Sequence, residues 1–211
     1  MSPAQDSTVF VIDDDEAVRK ALAFLLRTAG LAVETFASAQ AFLAGYDPKR
    51  RGCLVLDVRM PQMTGLELQQ ELNARGWRVP AVVITGHGTV PTAIAALRAG
   101  AFDFIEKPFR DEVLLESVQR ALAFDETARQ QQAKRADLER RAALLTLRER
   151  EIMDLIAEGE SNKTIARRLG ISFRTVEIHR ARVMEKMQAR TTSDLIRMAI
   201  ALEPRDEPRD G

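Results

Sequence analysis

The chain is 211 residues long, with 45% apolar and 29% charged residues, so it can bury one large core or two small ones and is not disordered by composition. Its 31 basic and 31 acidic residues cancel, which excludes an overall charge as a pointer to nucleic acid or membrane. The lone cysteine, Cys53, excludes an intramolecular disulfide, argues against a zinc cage and suits a reducing cytosol.

Met1 to Asp6 carry neither a basic segment nor an apolar run, so no signal peptide is expected. The longest apolar stretch, Ala21 to Leu26, is far too short to span a bilayer. A cytoplasmic protein without a membrane partner is the expectation. Up to about Phe124, short apolar runs alternate with helical spacing. Strands are expected near 8–13, 31–36, 53–57, 80–84 and 102–106, all rich in Val, Ile, Leu or Phe. Between them Ala17 to Thr28, Ala39 to Ala44, Leu66 to Ala74 and Val90 to Ala99 read as helices, with Gly30, Gly76 and Gly100 where C-caps belong. This order predicts an α/β domain built on a doubly wound, five-stranded parallel sheet. Cys53 opens one apolar strand and reads as a buried small side chain.

From 125 to 142 the character changes. Good helix formers dominate, Gly and Pro are missing, and large apolar residues are almost gone. This predicts a solvated helical linker continuing the helix begun near Asp111. A coiled coil would need a sustained apolar seam, which is lacking. Residues 143–202 carry no strand signal and read as an all-α domain of four helices. Thr146 and Glu149 form a capping box opening a helix through Ala157, which Gly159 ends. Ser161 caps a short helix to Leu169, Ser172 caps one to about Met187, and Thr192 or Ser193 caps the last. The turn Leu169-Gly170-Ile171-Ser172 has the spacing of a helix-turn-helix. The charged tail, 203–211, reads as disordered.

Strand ends carry the polar residues. Asp13 and Asp14 close the first strand, Asp57 the third, Thr85 the fourth and Lys107 the fifth. In parallel sheets ligands gather at the carboxyl ends of the strands, so acid, acid, hydroxyl and amine are expected on one rim. Three convergent carboxylates require a compensating cation. Hard oxygen donors without His or Cys favour magnesium. An exposed Asp beside such an ion can attack a phosphoryl group and form an acyl phosphate, with metal, amine and hydroxyl stabilising the transferred group. For any one acid, merely ending a strand is a fair alternative; for the whole set it is a poor one.

The runs Val-Ile-Asp13-Asp14-Asp15, Leu-Asp57-Val-Arg-Met-Pro61-Gln-Met-Thr-Gly65, Ile-Thr85-Gly-His-Gly and Glu106-Lys107-Pro108-Phe resemble the receiver domain of two-component response regulators. The likeness spans 8–124, and the receiver domain is expected over 1–124. It implies Asp57 as phospho-acceptor and Asp13, Asp14, Asp57 and the backbone carbonyl of Arg59 as ligands of Mg2+. It further implies Lys107 and Thr85 as phosphoryl contacts, a cis Lys107-Pro108 peptide, and Phe104 as the switch aromatic, which otherwise reads as a core residue of the fifth strand. Asp15 falls beyond the acidic pair and reads as a helix N-terminal acid. His87 and Arg59 either tune phosphoryl lifetime or are ordinary loop residues. The segments around Thr85 and Lys107 are most similar to the FixJ branch, which implies a homodimer on phosphorylation through the fourth helix and fifth strand.

The neutral total hides an asymmetry. From Ser161 to Met187 the basic residues are Lys163, Arg167, Arg168, Arg174, Arg180, Arg182 and Lys186, against the acids Glu177 and Glu185 alone. A basic surface on a helix-turn-helix is what phosphate contacts require. At 100° per residue Val176, Val183 and Met187 face inward, while Arg174, Ile178, Ala181 and Arg182 face out with Glu177 on the flank. An outward Ile suits a thymine methyl in the major groove, and Arg182 suits guanine or phosphate. Arg180 lies nearer the inward stripe, suited to phosphate by its length or to an internal ion pair. The runs Leu-Thr146-Leu-Arg148-Glu149-Arg-Glu151, Gly-Glu-Ser161-Asn162-Lys163-Thr-Ile165-Ala166 and Thr175-Val176-Glu177-Ile-His179-Arg resemble the LuxR/GerE DNA-binding domain. This makes 173–187 the recognition helix and Lys163, Thr175 and His179 backbone-contact residues, with Lys186 near its end as a further contact. Leu195, Met198, Ala199 and Leu202, with Ile196 and Ile200 beside them, form an apolar face suited to a DNA-bound dimer or to burial within one copy.

Together these readings imply a DNA-binding response regulator, phosphorylated by a sensor histidine kinase, that regulates transcription at a promoter of two half-sites and engages RNA polymerase. The enzymatic rival is a phosphatase or transferase working through phospho-Asp57. It lacks a second acid two residues on, where Arg59 stands.

Overall fold

The computed structural model describes residues 7–86 and 90–203. The chain divides into two compact units, Met1–Arg129 and Gln130–Gly211. Expectations for the N-terminal hexapeptide, for His87 and for residues 204–211 lie outside the described residues.

In the first unit β1 (Ser7–Ile12), β2 (Ala32–Phe36), β3 (Arg51–Asp57), β4 (Ala81–Thr85) and β5 (Asp103–Glu106) form a parallel sheet in the order β2-β1-β3-β4-β5. The three central strands are near-continuous apolar runs because both of their faces are covered. The edge strands β2 and β5 are only partly buried. Period-two alternation separates two cores. Val9, Val11, Val55 and Ile84 pack with Leu22 and Leu26 of α1 (Glu16–Thr28) and with Leu114 and Val118 of α5 (Asp111–Ala142). Phe10, Ile12, Leu54 and Leu56 pack with Phe42 of α2 (Ala39–Gly45) and with Leu68 and Leu72 of α3 (Gly65–Ala74). Cys53 is fully buried, as expected. α4 (Val90–Arg98) lays Ala96 against Val83.

Helix starts follow local chemistry. Asp15 is the N-cap of α1, its Oδ1 accepting from the Ala17 amide at 2.8 Å and the Val18 amide at 3.2 Å. Gly30, Gly76 and Gly100 have φ of +81°, +69° and +87°, the left-handed backbone that ends these helices.

The expected linker is helical throughout, but its ends are packed rather than solvated. Asp125 is buried; its carboxylate accepts from the Gly52 amide at 3.1 Å and from Arg129 Nε at 2.9 Å. Arg129 Nη2 continues to the Arg50 carbonyl at 2.6 Å. These bonds fasten α5 to the start of β3. At the other end Leu138 and Ala142 join the apolar core of the second unit. Residues 130–134 between them are exposed.

The second unit packs α6 (Leu147–Ala157), α7 (Asn162–Leu169), α8 (Phe173–Met187) and α9 (Thr192–Leu202) around Ile152, Met153, Ile165, Val176, Val183, Met187 and Leu195. The Thr146–Glu149 capping box and the Ser161 and Ser172 caps form as the sequence indicates. The last helix is capped one residue earlier than expected, by Thr191 with Asp194 in a capping box. Among the described residues no helix is long and apolar enough to cross a membrane.

Candidate functional site

The carboxyl ends of β1, β3 and β5 place Asp13, Asp57 and Lys107 side by side. Lys107 Nζ lies 2.9 Å from Asp57 Oδ1 and 3.3 Å from Asp13 Oδ2. The second oxygen of Asp57 accepts from the Arg59 amide at 2.6 Å. Asp57 is therefore held by an ammonium on one oxygen and a backbone N–H on the other, a geometry that fixes its orientation. Its backbone is pinned too. Gly65 passes so close that a Cβ there would stand 2.3 Å from the Asp57 carbonyl oxygen. The Thr64–Glu67 capping box starts α3 at this point.

Burial pushes the Asp13 carboxyl up, over the opposing Asp15 amide and Lys107 charge. For Lys107, burial alone would lower the ammonium, but the hydrogen bond and charge of Asp57, aided by Asp13, reverse this and raise it. The amine thus stays protonated between its two acids. Thr85 is buried, and its carbonyl accepts from the Lys107 amide at 2.7 Å. The Lys107-Pro108 peptide is cis, as expected. Phe104 is partly buried and packs with Val58, Val83 and Ala96.

The predicted convergence of three carboxylates is met by two. Asp14 is exposed, and among the described residues no three His, Cys, Asp or Glu side chains form a metal cage. Lys107 supplies a compensating positive charge between Asp13 and Asp57. For Arg59 it is the amide, not the carbonyl, whose contact is seen. The donor set remains oxygen only, with one buried acid at each of two neighbouring strand ends and a third acid exposed beside them. That fits magnesium, which takes few protein ligands and keeps several waters.

In the second unit α7 and α8 meet at Gly170, whose φ of +64° makes the turn. Val176, Val183 and Met187 are fully buried, while Arg174, Glu177, Ile178 and Arg182 are exposed, so the two faces of α8 separate as the periodicity predicts. Ile178 is 43% exposed. Arg174 lies 3.6 Å from Glu177. Lys163 on α7 is exposed. Thr175 is half-buried and shares a 2.8 Å hydroxyl contact with Ser172. His179 is also half-buried, and its enclosed Nδ1 has no hydrogen-bond partner among the described residues. Arg180 turns inward and, among the described residues, forms no ion pair; it donates to Asn162 Oδ1 at 3.0 Å and Thr192 Oγ1 at 2.6 Å, tying three helices.

Lys186, expected at the DNA, has an internal partner: its Nζ lies 2.6 Å from Glu149 Oε2. Sequence pattern did not point to this pair, nor to Arg19, whose Nη1 donates to the Asp13 carbonyl at 2.7 Å.

The family model described as the response regulator receiver domain matches residues 9–119, and that of bacterial regulatory proteins of the luxR family matches 143–199. The chain belongs to the response regulators that join a receiver domain to a LuxR-type DNA-binding domain. This response regulator is 50% identical over 192 residues to the transcriptional regulatory protein FixJ of Azorhizobium caulinodans, covering 91% of each chain. It is 47% identical to FixJ of Rhizobium meliloti, covering 93% of this chain and 96% of that one. Among solved structures it is similar to the response regulator StyR, with a TM-score of 0.84 and 42% identity over 92% of this chain and 98% of the other. The regulator is thus FixJ-like, a DNA-binding transcriptional regulator.

Proposed function

We propose that this regulator is cytoplasmic and takes a phosphoryl group on Asp57 from a sensor histidine kinase. The observation that carries this is the Asp57 carboxylate at the end of β3, oriented by Lys107 Nζ at 2.9 Å and the Arg59 amide at 2.6 Å. An Asp57 oxygen attacks phosphorus, the bond from phosphorus to the kinase imidazole breaks, and an acyl phosphate forms. Asp13, Asp14, Asp57 and the Arg59 carbonyl would hold Mg2+, which when bound neutralises phosphoryl oxygens. Lys107 shifts from carboxylate to phosphoryl oxygen, and the Thr85 hydroxyl contacts another. Phe104 then turns into the space that Thr85 vacates. The only covalent chemistry of the chain is gain and hydrolytic loss of this group.

Phosphorylation then favours a homodimer through α4 and β5, which places two recognition helices on the half-sites of a promoter. Arg174, Glu177, Ile178 and Arg182 face the DNA, Lys163, Thr175 and His179 approach its backbone, and RNA polymerase is engaged from there. Incubation of wild type and Asp57→Asn with acetyl phosphate and magnesium tests this. Wild type is expected to gain phosphate, dimerise and tighten on promoter DNA at fixed salt. Identical behaviour of the two proteins would overturn it.

A further inference from the structure

The loop that carries the two N-terminal acids is held by hydrogen bonds from several elements, one of them from α1. Every polar group of Asp13 has a partner. Its amide donates to the Phe36 carbonyl at 3.3 Å, Oδ1 accepts from the Asp15 amide at 2.9 Å, and Oδ2 meets Lys107 at 3.3 Å. The carbonyl accepts from Arg19 Nη1 at 2.7 Å. Arg19 is itself fixed by the helix, since its amide makes the first helical bond, to the Asp15 carbonyl at 2.9 Å. The carbonyl of Asp13 and the amide of Asp14 share one rigid plane. Holding that carbonyl fixes where the Asp14 N–Cα bond lies. The Asp15 amide, held by Asp13 Oδ1, restrains the plane on the other side of Asp14, so together they narrow the arc open to the Asp14 carboxylate. Asp14 is the exposed acid at this rim, with no side-chain bond among the described residues to orient it otherwise.

We propose that Arg19 is a positioning residue that, by holding the Asp13–Asp14 peptide plane, aims the Asp14 carboxylate at the magnesium site. The inference rests on the magnesium-dependent reading of Asp57 given above. It has a sign that separates it from the plain electrostatic alternative. A guanidinium near a divalent ion repels it, so an arginine acting only as a charge would raise magnesium affinity when removed. A positioning arginine would lower it. Loss of an outer partner that orients a ligand ordinarily weakens metal affinity by about tenfold to a hundredfold.

The test is calorimetric titration of the unphosphorylated full chain with MgCl2, for wild type, Arg19→Ala and Arg19→Lys, with thermal unfolding in chelator as the check on folding. Arg19→Ala is expected to weaken magnesium at least about tenfold. Arg19→Lys, which keeps a charged donor of nearly the same reach, is expected to recover most of that loss, and it carries the test should the alanine variant fail to fold. Folded Arg19→Ala binding magnesium as tightly as wild type, or more tightly, would overturn the proposal while leaving the phospho-acceptor reading intact. Wild type that binds no magnesium would overturn both.

Discussion

Lys186 and Glu149 form a 2.6 Å ion pair between the last turn of the recognition helix and the capping box of α6. Glu149 is nearly buried, and the same carboxylate oxygen accepts from the Thr146 amide at 2.9 Å. Removing the ammonium strands a buried carboxylate, which costs far more than the pair contributes against an apolar replacement. Lys186→Met is expected to destabilise the second unit by roughly 2–4 kcal/mol. At a temperature where it stays folded, its affinity for promoter DNA should match wild type. Thermal unfolding and DNA titration of the same protein decide between this role and a DNA contact. An unchanged melting temperature with weakened DNA binding would reverse the assignment.

The pair also fixes a pH dependence. The hydrogen bond from Lys186, with that from the Thr146 amide, pulls the Glu149 carboxyl down to about 2 from its ordinary 4.5. A depressed carboxyl stabilises the fold fully above its unfolded value and loses that stabilisation as pH falls through the folded one. The second unit should therefore weaken progressively from about pH 4.5 towards pH 2. Helix loss followed by circular dichroism should show a flatter dependence across that window in Lys186→Met.

Gly65 is required by contact rather than by a turn. Its Cβ would stand 2.3 Å from the Asp57 carbonyl oxygen and 3.0 Å from Leu56 Cγ. Gly65→Ala must push the β3–α3 connection away from the strand end that carries Asp57. The expected outcome is slower phosphorylation from acetyl phosphate with the sheet still folded. Phosphorylation at the wild-type rate would mean that the loop yields without disturbing the acceptor.

What the sequence made legible follows from the range of each interaction. Strand ends carry Asp13, Asp57 and Lys107 to one rim because parallel topology alone brings them there, and α8 separates its faces because helical periodicity is local. Ser161 and Ser172 could be read as caps because the hydroxyl and the amide it accepts lie three residues apart. Lys186 and Glu149 are 37 residues apart and meet only through the packing of α8 on α6. On a helical wheel Lys186 looks like any basic residue of a DNA-binding face. Gly65 entered the sequence reading only as part of a family motif, since its physical need arises from a neighbouring strand. Asp14 follows the strand end by one more residue than Asp13, and its side chain is exposed at the rim rather than ion-paired with Lys107 like Asp13 and Asp57.

Ile178 and Arg182 lie one helical turn apart on the exposed face of α8, and they should fail differently when truncated. Ile178 can offer only apolar contact, which in the major groove means a thymine methyl. Ile178→Ala should lose about fivefold to tenfold in affinity for the best site, flatten preference at one position and leave the salt dependence unaltered. Arg182 carries a charge, so its two possible roles separate by salt. If Arg182 grips a phosphate, Arg182→Ala lowers the slope of affinity against salt by about one and weakens all sequences alike. If it reads a guanine, the same substitution instead relaxes discrimination at one base pair by about 1–3 kcal/mol. The exposed position of Arg182, without an acidic partner among the described residues, suits the phosphate role, whereas Arg174 is already drawn to Glu177 at 3.6 Å. Affinities for matched and scrambled duplexes across a salt series are expected to shift in parallel for Arg182→Ala and to converge for Ile178→Ala. The opposite assignment of the two patterns would show that the apolar side chain is not the one reading sequence.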